Sequence, residues 1–99
     1  MFTINDLRRY CDERRLNKIE KGFRNEEVYG YTYDDTDYPT ITITGDVYDI
    51  ENEFLAEDIH IVIDYEKGII KKGYCDCRYI RENRRVCDHL LLLVYAFLF

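Results

Sequence analysis

Apolar residues recur with two different periods along the chain, and the change of period separates helical ends from a strand-rich middle. Near the N-terminus, apolar side chains recur at the three- and four-residue intervals of a helix, at Ile4, Leu7 and Cys11. Thr3 and Asp6 have the spacing of a capping box, which predicts where this helix begins. Leu16 and Ile19 either extend it or form a second short helix, and Gly22 is expected to end it.

Between residues 27 and 75 the period changes to two, as in β-strands with one buried face. Strands are expected over 27–33, 40–48, 58–65 and 69–75. The acidic segment 49–57 is a connection whose form the pattern leaves open. The side chains expected on the buried face include Ile41, Ile43, Val47, Ile59, Ile61 and Ile63, whereas His60, Val62 and Asp64 are expected to point outward.

The last helix is expected over 87–99 and is apolar nearly all round. Such a helix must be buried on more than one face, and a small sheet covers about half of it. We therefore expect an exposed patch that binds a protein partner or a second copy of the chain. Alternatively, the first helix and segment 49–57, with Phe54 and Leu55, close over it. The expected interface residues are Leu91, Leu93, Val94, Phe97, Leu98 and Phe99.

Charge is distributed very unevenly along the 99 residues, whose formal net charge is −6. Residues 1–25 carry +3, residues 26–66 carry −13 with no Lys or Arg, and residues 67–99 carry +4. Charges more than about 8 Å apart are largely screened at physiological salt, so these segments act as separate surfaces. The total therefore excludes only a uniformly cationic nucleic-acid binder.

A group of three cysteines and one histidine carries the clearest chemistry: Cys75, Cys77, Cys87 and His89. Residues two apart on a strand point the same way, and the second pair falls on the expected first turn of the last helix, so all four can face one ion. Zinc binds such ligands tetrahedrally, and four protein ligands leave no open position, which indicates a structural rather than a catalytic ion. A disulfide or plain buried thiols are the alternatives. Cys11 is interpreted as an apolar filler.

The Cys-x-Cys and Cys-x-His pairs, with a strand before and an apolar helix after, resemble the SWIM zinc finger. The motif covers residues 75–89, and a weaker resemblance extends upstream through Lys21-Gly22 and Val47-Tyr48. The resemblance implies that the four residues bind zinc, and that the setting is recombination, repair, transposition or transcription, through DNA binding or protein contact. Asp88 and Leu92 depart from the family pattern, which commonly has a basic and a small residue there.

The loop between the two ligand pairs is rich in arginine and follows two lysines on the last strand. Arginine binds phosphates and aromatic rings stack on bases, so direct DNA or RNA binding is the alternative function. Alternatively, the loop is solvated and its arginines pair with the acidic sheet. The candidate nucleic-acid ligands are Lys71, Lys72, Arg78, Tyr79, Arg81, Arg84 and Arg85.

Together, these features predict an α+β fold in one domain over residues 1–99. It comprises an N-terminal helix, a four-stranded antiparallel β-meander and a zinc finger, residues 69–99, closed by a C-terminal helix. The predicted function is a non-enzymatic interaction module with one structural Zn²⁺ per chain and no small-molecule substrate. A nuclease using the acidic residues is a third alternative. The charged first turn argues against a signal peptide, and the longest apolar run, residues 90–99, is half of the roughly 20 residues that a bilayer span needs. We therefore expect an intracellular protein rather than a secreted or membrane one.

Overall fold

The computed structural model describes residues 1–77 and 86–99. Within these ranges the chain forms three helices and an antiparallel sheet, which confirms the predicted α+β class. The elements in chain order are α1 (Ile4–Leu7), α2 (Glu13–Arg24), β1 (Val28–Asp34), β2 (Thr40–Asp49), β3 (Phe54–Asp64), β4 (Ile69–Tyr74) and α3 (Asp88–Leu98).

The N-terminal helix is divided into two. The Thr3 N–H donates to Asp6 Oδ2 at 2.8 Å, which confirms the predicted start of α1. A second helix begins after Asp12, whose carboxylate accepts a hydrogen bond from the Arg15 N–H at 2.8 Å. Gly22 does not end this helix, contrary to the prediction, because it lies buried inside α2. A Cβ there would lie 3.3 Å from Leu92 Cδ2, so the glycine lets α2 approach α3 closely.

The four strands form a meander in the order β1-β2-β3-β4, with every neighbouring pair antiparallel, as predicted. β3 begins at Phe54, earlier than the expected residue 58. The acidic connection is therefore only a short turn, in which Asp49 Oδ1 accepts the Asn52 N–H at 3.1 Å. The register between β2 and β3 shifts between Gly45 and Val47, which interrupts the two-residue period and hides the beginning of β3 in the sequence.

One face of the sheet forms the core. Its buried aliphatic side chains are those predicted: Ile41, Ile43, Val47, Ile59, Ile61 and Ile63. The expectation that Val62 and Asp64 point into solvent was wrong, because both are buried. Val62 lies between Thr42 and Lys72 on the neighbouring strands. The Asp64 carboxylate turns back to accept the Lys67 N–H at 2.8 Å.

α3 lies between the sheet and α2, so both of its sides are covered. This corrects the expectation of a broad exposed apolar face, because Leu91, Leu93 and Val94 are fully buried within the chain. α2 covers the second side, as in the alternative in which the N-terminal helical region closes over the last helix. Phe97 and Leu98 are half-buried, and only Phe99 at the end is largely exposed. Among the helices of the described ranges, none combines the length and apolar character required to cross a membrane.

Candidate metal centre

Four side chains converge where β4 and α3 meet. Cys75 and Cys77 follow β4, whereas Cys87 and His89 lie at the start of α3. Their ligand atoms all lie within 4.8 Å of one another. The Nδ1 atom of His89 is 3.7 Å from the Sγ of Cys75 and 3.9 Å from the Sγ of Cys87. A tetrahedral zinc with bonds of about 2.3 Å has ligand separations of about 3.7 Å, so these donors fit one such ion.

The secondary structure places the two pairs for a local reason. Cys87 is the N-cap of α3, with extended φ and ψ of −83° and 168°. The unsatisfied N–H groups of the first helical turn and the helix dipole stabilise a thiolate at this position. The three cysteine side chains are buried, so an ion bound by them would be shielded from water.

His89 divides its two ring nitrogens between the cluster and a carboxylate. Nδ1 faces the thiols, and Nε2 lies 2.9 Å from Asp49 Oδ2. Asp49 is itself held by the side-chain amide of Asn52, which donates to the same oxygen at 2.8 Å. A carboxylate on the far nitrogen of a metal-binding histidine fixes the tautomer and the ring orientation. Sequence reasoning missed Asp49, since nothing in its spacing connects it with a histidine forty positions later.

The same contacts shift the pKa values of the donors in the metal-free protein. The hydrogen bond from Cys87 is the largest effect on Cys75 and, with His89 nearby, lowers the pKa of Cys75 to about 4. That shared hydrogen bond and burial raise the pKa of Cys87. Burial lowers the pKa of His89, but its hydrogen bonds with Cys75 and Asp49 outweigh burial and raise it to about 9. Burial would raise the pKa of Asp49, yet the hydrogen bonds from Asn52 and His89 lower it.

Arg15 ties α2 to both sides of Cys87. Its Nε donates to Asp88 Oδ1 at 2.8 Å, and a terminal nitrogen donates to the Val86 carbonyl oxygen at 3.1 Å. Lys18 lies 3.6 Å from the other oxygen of Asp88. The acidic residue at position 88, which departs from the SWIM pattern, therefore has a structural partner on α2. This clamp positions the second ligand pair against the N-terminal helix.

The remaining site predictions concern the state of the cysteines and the candidate nucleic-acid ligands. All four cysteines are free thiols, so the disulfide alternative is not found. Cys11 is buried outside the cluster, burial raises its pKa, and its thiol lies 3.6 Å from the Leu7 carbonyl oxygen.

Lys71 and Lys72 are exposed on β4. The candidate nucleic-acid ligands in the arginine-rich loop lie outside the described residues: Arg78, Tyr79, Arg81, Arg84 and Arg85.

Comparisons of the chain with protein-family models, with curated proteins and with solved structures give no match. The geometry of the site itself brings together donors suited to one metal ion.

Proposed function

We propose that this chain is a non-enzymatic protein-interaction module whose fold is held together by one structural zinc ion. The observation that supports it is the convergence of three thiols and one imidazole within 4.8 Å, at the junction of β4 and α3. Thiolates and imidazole are the donors that zinc prefers, and four of them complete its usual shell. A closed shell offers no position for water or substrate, which argues for a structural role.

The zinc site connects secondary-structure elements that must be held rigidly to present an interaction surface. It connects the end of β4 to the start of α3, and the Asp49–His89 contact adds the end of β2. The resemblance to SWIM fingers extends the proposal to a setting in recombination, repair, transposition or transcription. In that setting the module binds a protein partner, and the metal fixes the surface presented to it.

Metal analysis of the purified protein tests the zinc proposal. We expect one zinc per chain in the wild type and a loss of zinc in Cys77→Ser. Cys11→Ser is the matched control, since Cys11 is also a buried thiol but lies outside the cluster. A wild-type protein that is folded yet carries no zinc after growth in zinc-containing medium would contradict the proposal.

Direct DNA or RNA binding is the second candidate, and the exposed lysines of β4 favour it. Lys71 and Lys72 are adjacent on the strand that leads into the arginine-rich loop. In gel-shift titrations across salt concentrations, binding through n phosphates weakens with a log–log slope of about −0.9n. Replacing Arg81, Arg84 and Arg85 by alanine should flatten that slope, whereas R9A/R14A/R24A should not. Unchanged binding in the first variant would exclude the loop as the binding site.

A further inference from the structure

β1 is an edge strand with little protection against pairing. Within the described residues, only β2 pairs with it, and its other side is open. Alternate residues of an edge strand direct their N–H and C=O groups outward, where another strand can bind them. Proteins guard such edges with lysine, proline or bulges. The opposite edge, β4, has Lys71 and Lys72, whereas β1 has no Lys, Arg or Pro.

The unprotected part of β1 is regular. Its register with β2 shifts only between Val28 and Gly30 and then continues without interruption from Gly30 to Asp34. Five consecutive paired residues present a straight edge that is about as long as a typical strand. A peptide in extended conformation could therefore pair along this whole segment.

Aromatic side chains border the edge on the face where α3 lies. Tyr33 is 56% exposed and packs edge-to-face against Phe97, with ring centroids 5.2 Å apart. Phe97 also contacts Tyr65 at 6.3 Å, and Tyr65 contacts Tyr38 at 6.1 Å. Tyr31, two residues before Tyr33, lies on the same face of β1. We call these five side chains the aromatic patch: Tyr31, Tyr33, Tyr38, Tyr65 and Phe97.

The charge around β1 selects the kind of strand that can pair with it. Residues 26–37 contain five acidic residues and no Lys or Arg. Three of the acids, Asp34, Asp35 and Asp37, lie exposed at the end of β1 and in the turn that follows it. A basic segment gains attraction at this end, because opposite charges across paired strands are stabilising and like charges are destabilising.

The same charges disfavour a second copy of the chain at this edge. An antiparallel β1 pair centred on Tyr31 would place Asp34 opposite Val28 and Asp35 opposite Glu27. The acidic turn of each copy would then lie against the acidic residues 26–27 that precede β1 in the other. Like charges directly opposite each other destabilise a strand pair.

We propose that β1 binds a basic extended segment of a partner protein, which adds a fifth strand to the sheet. The backbone of Gly30–Asp34 supplies the hydrogen bonds, the aromatic patch holds alternate apolar side chains of the segment, and the acidic turn at 34–37 binds its basic residues. This assignment rests on the proposed function as an interaction module and names the chemistry of its partner.

The test uses the full, zinc-loaded chain and two capped peptides of about seven residues. One alternates valine with lysine, and the other alternates valine with glutamate. Titration followed by fluorescence polarisation should show binding of the lysine peptide, with affinity about tenfold or more above that of the glutamate peptide at low salt. Amide NMR should show the largest changes at residues 30–34. Equal binding of both peptides, no binding, or changes confined to other elements would overturn the proposal.

Two matched pairs of variants separate charge from packing. Asp35→Lys/Asp37→Lys should abolish the preference for the lysine peptide, whereas Glu53→Lys/Glu57→Lys, with the same change in net charge elsewhere on the surface, should leave it. Tyr33→Thr keeps a β-forming residue but removes the ring from the aromatic patch, and should weaken binding about tenfold. Tyr29→Thr removes a ring that stacks on Tyr48 instead, and should leave binding unchanged. The reverse result in either pair would overturn the assignment.

Two measurements on the protein alone distinguish failure of the proposed function from failure of the proposed peptide binding at β1. Metal analysis shows whether the protein contains zinc, and a chain without zinc fails the proposed function whatever the peptides do. A zinc-loaded chain that binds neither peptide fails only the present inference. Sedimentation of the protein alone tests whether a second copy of the chain occupies the β1 edge instead. A concentration-dependent dimer that Tyr33→Thr disrupts would assign the edge to that second copy.

Discussion

At the scale of single residues, His89 shows how the fold prepares a ligand before any ion is bound. Nδ1 faces the thiols and Nε2 contacts Asp49, so the ring orientation is fixed from both sides. A carboxylate in this position raises the basicity of the metal-binding nitrogen. Asp49 therefore acts on the metal through His89 without touching the ion.

Asp49→Asn should weaken zinc binding about tenfold to a hundredfold, because the uncharged amide orients and polarises the imidazole less well. Competition with a chelating dye measures the affinity. Asp64→Asn is the matched control, since Asp64 is equally buried and also accepts a turn N–H. Both variants lose a charged hydrogen-bond acceptor, but only the first should lose zinc affinity. Equal affinities in the two variants would show that Asp49 has no role beyond the turn.

The raised pKa of His89 predicts how zinc binding depends on pH. The ring is protonated at pH 7 in the metal-free protein, because its pKa is about 9. Nδ1 must lose that proton to coordinate a metal, so the apparent zinc affinity should increase from pH 7 to about pH 9. Calorimetry in buffers of different ionisation enthalpy measures the proton release. Cys87 must also lose a proton to bind the metal, because its pKa is raised too, so an affinity that is flat over this range would contradict both pKa shifts.

His89 has the opposite pH dependence in the folding of the metal-free chain, where its effect on stability decreases as the pH rises. A pKa above the ordinary value of 6.5 means that the folded state holds the histidine proton more tightly than the unfolded state does. This contribution to stability is fully present below pH 6.5 and is lost as the pH rises through about 9. Metal-free and zinc-loaded proteins should therefore differ in the pH dependence that His89 gives to their unfolding.

At the scale of elements, two glycines determine how closely the chain packs around α3. A Cβ at Gly45 would collide with the Gly30 carbonyl oxygen and would lie 2.8 Å from Leu93 Cδ2. A Cβ at Gly73 would lie 2.8 Å from Leu90 Cδ1. The helix therefore rests on the sheet at two points where the strands carry no side chain.

Gly45→Ala should destabilise the protein by about 1–3 kcal/mol, because the added methyl group has no space between the Gly30 carbonyl oxygen and Leu93, so both β1 and α3 must shift. Urea unfolding of the zinc-saturated protein measures the change. Gly30→Ala is the matched control on the neighbouring strand, since a Cβ there meets nothing within 4 Å. A Gly45→Ala variant that is no less stable than Gly30→Ala would contradict the packing argument, because alanine is ordinarily more favourable than glycine within a strand.

The sequence predicts most elements but not the places where periodicity breaks. Strands with alternating residues, such as β2, were predicted to within one residue because their burial follows the period. The start of β3 was missed because the register shifts between Gly45 and Val47. The length of α2 was missed because Gly22 has the features of a helix terminus in sequence, and only the contact with Leu92 explains it.

For the metal site, the sequence predicts the four donors because each pair has only one residue between its members. The expected strand geometry of the first pair is not found, since β4 ends at Tyr74 and Cys75 and Cys77 follow it. It does not predict Asp49 or the Arg15 clamp, since both reach the site through tertiary packing. Contacts between residues forty or seventy positions apart leave no periodic signal.

At the scale of the whole molecule, one buried helix connects all parts of the fold. α3 contacts α1, α2 and the strands β1, β2 and β3, and its first turn carries two of the four metal donors. Releasing the metal therefore loosens the element against which the rest of the core packs. The ligand spacing in the sequence predicts that removing the metal unfolds at least residues 75–99, and the contacts of α3 predict an effect on the whole chain.

Chelation of zinc should lower the melting temperature of the entire chain in one cooperative transition. Apparent zinc binding in small finger peptides is about 10–16 kcal/mol, which is comparable with the total stability of a typical domain. Far-UV circular dichroism with and without a chelator measures the transition, and hydrogen exchange at Ile43 and Ile61 reports on the sheet. Unchanged melting after removal of the metal would contradict a structural ion.

The position of α3 in the chain also affects synthesis of the protein. The inner sheet residues, such as Ile43 and Ile61, emerge from the ribosome well before the helix that covers them. Until α3 is translated, each nascent chain presents an uncovered aliphatic face that could associate with another nascent chain. Three of the four strands, β1, β2 and β3, lie within residues 26–66, which carry a charge of −13. Repulsion between such like-charged segments opposes that association before α3 covers the sheet.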